Sequence, residues 1–266
     1  MKRLFLILDI VLYCVLYVLS IYLSKLLILI AVSAKTAFEF LENRMLLRGG
    51  DFSEAVTEVF SKQTLPALLL SYLLFFLLCY ITFKIKKKDL TGYAGYGGAR
   101  FFGIIGAAVT GTVLNLLICG IMKEFTLPEK WIINHNDTLT RLFNGNTILV
   151  LATVVVLAPM FEEFFFRGVL FKTFLSAFGP AAAVISTAVL FAIAHFNPVQ
   201  SIYSFIVGLV LGVIRCKSKS LWSSTAAHIA FNSANFISLG FTPPLYLYVA
   251  LLALMMPIAC IRKRNV

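Results

Sequence analysis

The chain has 266 residues, of which 60% are apolar, 14% aromatic and 13% charged, whereas an ordinary soluble domain is about 25% charged. With a mean hydropathy of +0.93, this composition excludes a soluble globular protein and predicts an integral, multi-pass membrane protein. The 23 Lys and Arg against 12 Asp and Glu give a formal net charge of +11, which in a membrane chain orients the spans and does not mark a nucleic-acid partner. The cysteines, Cys14, Cys79, Cys119, Cys216 and Cys260, are scattered, odd in number and form no CxxC pair. Neither a disulfide framework nor a structural zinc site is expected.

In chain order, the apolar runs predict eight spans: Leu4 to Ile30, Leu65 to Phe83, Phe101 to Ile121, Thr147 to Phe166, Pro180 to His195, Val199 to Ile214, Leu221 to Leu239 and Leu245 to Ile261. Lys2 and Arg3 precede the first run, which is too long for a signal-peptide core and is read as a span. An even number of spans puts both termini on one face. If that face is cytoplasmic, fifteen of the 23 basic residues fall in inner segments, among them Lys84, Lys86, Lys87, Lys88, Arg262, Lys263 and Arg264. Seven, including Arg44, Arg48 and Lys130, fall in two longer outer loops, so the basic asymmetry predicts both termini in the cytoplasm.

Asp51 and Glu54 stand at capping-box spacing ahead of an amphipathic stretch, Phe52 to Phe60, which predicts a short surface helix in the first outer loop. The glycine-rich segment Thr91 to Arg100 lacks the Lys-Ser/Thr ending of a phosphate loop and reads as a connection. Gly208 and Gly212 form a GxxxG that predicts close helix packing in the sixth span. The fold class that follows is an all-α polytopic membrane protein with about eight transmembrane helices and a polar site inside the bundle. It divides into an N-terminal helical region (1–146), a core (147–240) and a C-terminal span with a basic tail (241–266).

Glu162, Glu163 and Arg167 interrupt the fourth apolar run, flanked by Phe161, Phe164, Phe165 and Phe166, and each such charge costs roughly 2.5–3.5 kcal/mol at the centre of a membrane helix. The plainest reading is that they pair with one another near a membrane boundary. Helical spacing separates the two glutamates. Glu163 and Arg167 are four apart and share a face, so they can form an ion pair, whereas Glu162 is turned about 100° away. A carboxylate among aromatics and without a local cation is placed to take a proton from water, the environment of a general base.

His195 and His228 lie in or at the end of apolar runs, while His135 sits in the polar second outer loop. A lone intramembrane histidine is usually a packing residue, but here register adds information. Gly179-Pro180 is the natural turn between the fourth and fifth spans, and residues equidistant from it lie at one depth. The midpoint of 162 and 195 is 178.5, so Glu162 and His195 are predicted level. His228 and Asn232 are four apart on one face, and Asn235 extends the polar strip. One carboxylate, two imidazoles and an amide are the parts needed to activate water and hold an oxyanion, which points to hydrolysis of a carbonyl substrate inside the membrane.

Glu162-Glu163-Phe164-Phe165-Phe166-Arg167 fits EExxxR, Phe191 with His195 fits FxxxH, and His228 with Asn232 fits HxxxN. Over about residues 147–240 the order and spacing resemble the CAAX prenyl endopeptidase and bacteriocin-processing (CPBP) family of intramembrane proteases. The resemblance implies a glutamate-dependent intramembrane endopeptidase. Glu162 would activate the attacking water, His195 would help position it, and His228 with Asn232 would stabilise the oxyanion. Glu163 and Arg167 would hold the site in shape and Phe191 would pack against it.

No cofactor and no metal ligand are expected. Zinc is the nearest rival, because two histidines and a glutamate can bind it with an open position, but HExxH is absent. The expected partners are the lipid bilayer and a hydrophobic or lipid-modified peptide or protein substrate, with no nucleic acid. A non-catalytic immunity or peptide-binding protein is the alternative from another class. A transporter is disfavoured, since no inverted repeat is visible.

Overall fold

The computed structural model describes residues 2–42, 51–143, 146–236 and 244–260. Arg44 and Arg48 of the first outer loop, the tail residues Arg262, Lys263 and Arg264, and the expected span ends at Leu239 and Ile261 lie outside the described residues. The regular structure among the described residues is helical, and the protein is an all-α polytopic membrane protein. Five segments are long and apolar enough to cross a bilayer: Arg3–Glu42, Thr64–Ile85, Phe101–Glu124, Thr147–Phe178 and Pro198–Ser218. These contain five of the eight expected spans.

The elements are α1 (Lys2–Glu42), α2 (Phe52–Ser61), α3 (Thr64–Ile85), α4 (Leu90–Ala94), α5 (Phe101–Glu124), α6 (Glu129–Phe143) and α7 (Thr147–Leu151). They continue as the π-helical segment π1 (Ala152–Leu157), α8 (Ala158–Glu163), π2 (Phe164–Leu170), α9 (Phe171–Phe178), α10 (Pro180–Ile193), α11 (Pro198–Ser218), α12 (Leu221–Ala234) and α13 (Leu245–Ala259). The other three expected spans correspond to α10, α12 and α13, with 14, 14 and 15 residues. At a helical rise of 1.5 Å they measure only about 21–23 Å against a hydrocarbon core of about 30 Å.

In the first outer loop Asp51 caps α2 as its spacing predicts, its side chain accepting from the backbone N–H groups of Ser53 at 2.8 Å and Glu54 at 3.2 Å. In the second, α6 forms where no element is expected, because its polar residues mask its single apolar stripe. At one end of the molecule, Asp9 of α1 pairs with Lys86 and, at 3.7 Å, with Lys88, both just past α3. At the same end Tyr93 of α4 shares a 3.0 Å hydrogen bond with Thr173 of α9, and the Leu221 N–H opening α12 donates to the Gly95 carbonyl at 3.0 Å. The starts of α1 and α12 therefore lie at the same end as the end of α3 and the C-terminal part of the Thr147–Phe178 segment.

Close backbone contacts set the distances between helices. A Cβ on Gly111 of α5 would stand 1.9 Å from the Ala227 carbonyl oxygen of α12. On Gly208 and Gly212 it would stand 2.9 Å from Ala188 Cα and 3.2 Å from Val184 Cγ1, so the GxxxG packs α11 onto α10 as predicted. Gly179, at φ +88°, separates α9 from α10. The glycine-rich connection has a specific role: Gly95, at φ +80°, leaves room for the Arg215 guanidinium. Arg215 donates from Nε to the Arg167 carbonyl at 3.0 Å and from Nη2 to the Ala94 carbonyl at 3.2 Å.

Candidate active site

The paired glutamates stand at the end of α8, only six residues long, between π1 and π2. In the π register an N–H reaches the carbonyl five residues back, as Ala158 does to Thr153. The next donor in that register belongs to position 159, a proline, so the Val154 carbonyl loses its partner within the helix. Asn232 of α12 supplies one, its Nδ2 donating to Val154 O at 2.9 Å. π-helical turns of this kind concentrate at functional sites.

Glu163 and Arg167 form the expected ion pair, Nη1 to Oε1 at 2.8 Å, with both side chains 0% exposed. Arg167 also donates from Nη2 to the Gly208 carbonyl at 3.2 Å and lies 4.5 Å from the centroid of the Phe191 ring. Burial of two charges is tolerated because they are paired and further hydrogen-bonded. Among the described residues Glu162 forms no ion pair with a lysine or arginine, again as the spacing predicts. Its side chain is 19% exposed and faces His228 of α12, with Nε2 3.6 Å from Oε2.

His228 stands between the carboxylates, its Nδ1 3.2 Å from Glu163 Oε1. A carboxylate only accepts, so Nδ1 carries the proton and donates to Glu163, while Nε2 is turned toward Glu162. His195 sits just past α10, with Nδ1 2.7 Å from the Phe191 carbonyl oxygen. That carbonyl too can only accept, which leaves His195 Nε2 as a lone-pair acceptor. The tight turn around it has Phe196 at φ +50°, Asn197 accepting from the Gln200 N–H at 3.1 Å, and Ser201 donating to the Ala192 carbonyl at 2.8 Å. A bulky residue at positive φ is strained backbone, the kind found at functional sites.

Phe191 is the hub of the cluster. Its ring meets His195 edge-on at 4.7 Å, His228 at 5.6 Å and Phe166 at 5.2 Å. Phe166 and Phe191 share the midpoint 178.5 with Glu162 and His195, so the hairpin register holds one turn nearer to Gly179. The structure thus gathers Glu162, Glu163, Arg167, Phe191, His195 and His228. Asn232 lies one turn beyond His228, with one amide N–H engaged by Val154. The polar strip continues from it, Asn235 donating to the Asn232 carbonyl at 3.3 Å and accepting from Asn115 of α5 at 3.0 Å.

Two features are absent from the motifs. Tyr17 of α1 stacks on Phe165 at 4.6 Å, and Tyr72 of α3 stacks on Phe161 at 4.5 Å; their only sequence signal is a phenol in mid-span. Beside π1 an apolar groove of about 380 Å³ is lined by Leu151, Ala152, Val155, Val156, Ser233 and Phe236. Among the described residues no group of three or more His, Cys, Asp or Glu is arranged to hold a metal ion.

Residues 144–234, about a third of the chain, match the family model of type II CAAX prenyl endopeptidase Rce1-like proteins. No curated protein and no solved structure matches the chain. The matched segment is the one that carries EExxxR, FxxxH and HxxxN, and over it the chain is similar to that CAAX-protease family.

Proposed function

We propose that this protein hydrolyses a peptide bond in a hydrophobic or lipid-modified peptide within the membrane, using water activated by Glu162. The observation that carries this reading is the division of labour between adjacent carboxylates. Glu163 is fully buried against Arg167 and serves as structure, whereas Glu162 is partly exposed and its carboxylate faces the His228 imidazole. In this scheme Glu162 removes a proton from water as the oxygen attacks the carbonyl carbon. His195 Nε2, left unprotonated by the Phe191 contact, accepts a hydrogen bond from the same water. His228, as the imidazolium held by Glu163, donates to the oxyanion. Asn232 contributes its remaining amide N–H. The proton taken by Glu162 returns to the leaving amine.

The apolar groove adjoins Asn232 and Val154 through their neighbours Ser233 and Val155 and suits the apolar part of such a substrate. No step requires a metal or cofactor, and the basic end of the bundle faces the cytoplasm in this reading. The test is cleavage of quenched farnesylated and unmodified hydrophobic peptides by detergent-purified protein. Glu162→Gln should lose about 10²–10⁴-fold in rate, while a strong chelator leaves the native rate unchanged. Activity lost to the chelator would assign the site to zinc, and activity retained by Glu162→Gln would remove the glutamate mechanism.

A further inference from the structure

The family match ends at Ala234, one residue short of a hydrogen-bonded relay that ties the last turn of α12 to α5. Asn235, the residue after α12, donates from Nδ2 to the Asn232 carbonyl at 3.3 Å and accepts at Oδ1 from Asn115 Nδ2 at 3.0 Å. A carbonyl only accepts, so the first bond fixes which end of the Asn235 amide faces α12, and the second then fixes that of Asn115. The relay stands where the helix cannot satisfy itself. In a continuing α-helix the Phe236 N–H would bond the Asn232 carbonyl; here it turns to the Ser233 carbonyl at 3.0 Å, and the Asn235 N–H reaches the Asn232 carbonyl only at 3.4 Å. The Asn235 side chain supplies the donor that the backbone withholds. Asn115 is 2% exposed in the middle of the 24-residue α5, where a polar side chain is costly without a partner. Its Oδ1 also meets Cys119 Sγ, at 3.7 Å.

We propose that Asn115 and Asn235 are positioning residues for Asn232, holding the end of α12 so that the Asn232 amide keeps one N–H on Val154 and the other for the oxyanion. This inference rests on the reading of Asn232 as an oxyanion donor. The relay grips the carbonyl of the same residue whose side chain reaches Val154 O of π1 at 2.9 Å, so the asparagines join α5, α12 and π1 in one line of hydrogen bonds. Capping α12 takes Asn235 alone; what Asn115 adds is a fixed orientation for the amide that does it. A last turn that frays at Asn232 would let its amide swing away from Val154, and a displacement of about 1 Å can cost about 10²-fold in rate. A donor held in place before charge develops needs no reorganisation when it does.

The relay is cut at either end by Asn115→Leu and Asn235→Ala. Cys119→Ala, which removes the thiol from Asn115 and leaves the relay whole, is the control. Asn-Ser occurs once in the chain, at 232–233, so isotopic labelling of the asparagine carbonyl carbon and the serine nitrogen gives one NMR signal for the Asn232 carbonyl in detergent-purified full-length protein. That signal should move upfield in both relay variants, as a carbonyl does on losing a hydrogen bond, and stay in place in Cys119→Ala. The same preparations are assayed on the quenched farnesylated peptides. Asn232→Ala should lower kcat about 10²-fold, and Asn115→Leu about tenfold with KM and Tm unchanged. In the Asn232→Ala background Asn115→Leu should cost nothing further, because it acts through the amide already lost, whereas a residue needed for the fold alone would show its cost in both backgrounds. An Asn232 signal unmoved in both relay variants overturns the proposal whether or not any peptide is cleaved. A native kcat in Asn115→Leu beside an impaired Asn232→Ala overturns the proposal and spares the assignment of Asn232. A native kcat in Asn232→Ala itself overturns the reading of Asn232 as oxyanion donor and the inference that rests on it.

Discussion

Removing one partner of the Glu163–Arg167 pair leaves the other charge buried at 0% exposure without its ion-pair partner. Loss of one member of such a pair costs about 3–5 kcal/mol, so Arg167→Leu should lower the unfolding temperature in detergent substantially. Adding Glu163→Gln to it should recover much of that loss, because the orphaned carboxylate goes with it. Lysine at 167 should not substitute, since an ammonium lacks the planar fork that reaches Glu163 and the Gly208 carbonyl together. Glu162→Gln should behave in the opposite way. Its side chain is partly open and an amide can still face His228, so stability should change by less than about 1 kcal/mol while activity disappears. Thermal unfolding of the four variants side by side decides the matter: if Glu162→Gln unfolds as readily as Arg167→Leu, Glu162 is a structural residue.

Two contacts between elements carry further predictions. Gly111→Ala would force the Ala227 backbone, 1.9 Å from the new methyl, to retreat, and His228 sits on that helix one residue later. The expected result is a lower Tm together with reduced activity, whereas Gly97→Ala, with nothing within 4 Å of its added methyl, should be neutral in both assays. On the other side, α6 places His135 beside Asn197, which caps α11 two residues after His195. Burial holds the His135 imidazole below its ordinary value of 6.5, so the folded protein favours the neutral ring. The unfolded or undocked state binds more protons, so docking of α6 is complete above pH 6.5 and weakens as the pH falls below it. The protection of amides over residues 129–143, measured relative to the intrinsic exchange rate at each pH, should fall between pH 7.5 and 5.5, and His135→Gln should abolish that dependence; unchanged protection in the native protein would refute it. Neither contact is legible in the sequence, because each joins residues far apart in the chain. The π-helical segments are equally silent, except that Pro159 removes the donor that Val154 needs.

At the scale of the whole molecule, what can be read from sequence is what depends on local periodicity and on the cost of charge in lipid. The order of the apolar runs, the Glu163–Arg167 face, the Gly179 turn and the GxxxG packing are all of this kind. What cannot be read depends on which helices meet: Tyr72 stacking on α8 and Tyr17 on π2, or Arg215 reaching Ala94 across 121 residues. The same contacts make the topology testable. Lys88, after α3, and Lys172, on α9, stand 5.8 Å and 5.9 Å from the centroid of one ring, Tyr93, so both must lie on the same face of the membrane. Lys130, at the start of α6, follows α5 to the other end. The basic asymmetry predicts that Lys88 and Lys172 face the cytoplasm. In a variant whose native cysteines are replaced, a membrane-impermeant thiol reagent should label Lys130→Cys in intact cells, and Lys88→Cys and Lys172→Cys only after permeabilisation. The reversed pattern would invert the orientation and leave the bundle intact. Opposite behaviour of Lys88→Cys and Lys172→Cys would break the bundle itself, since no membrane-spanning arrangement can place one tyrosine ring at both faces.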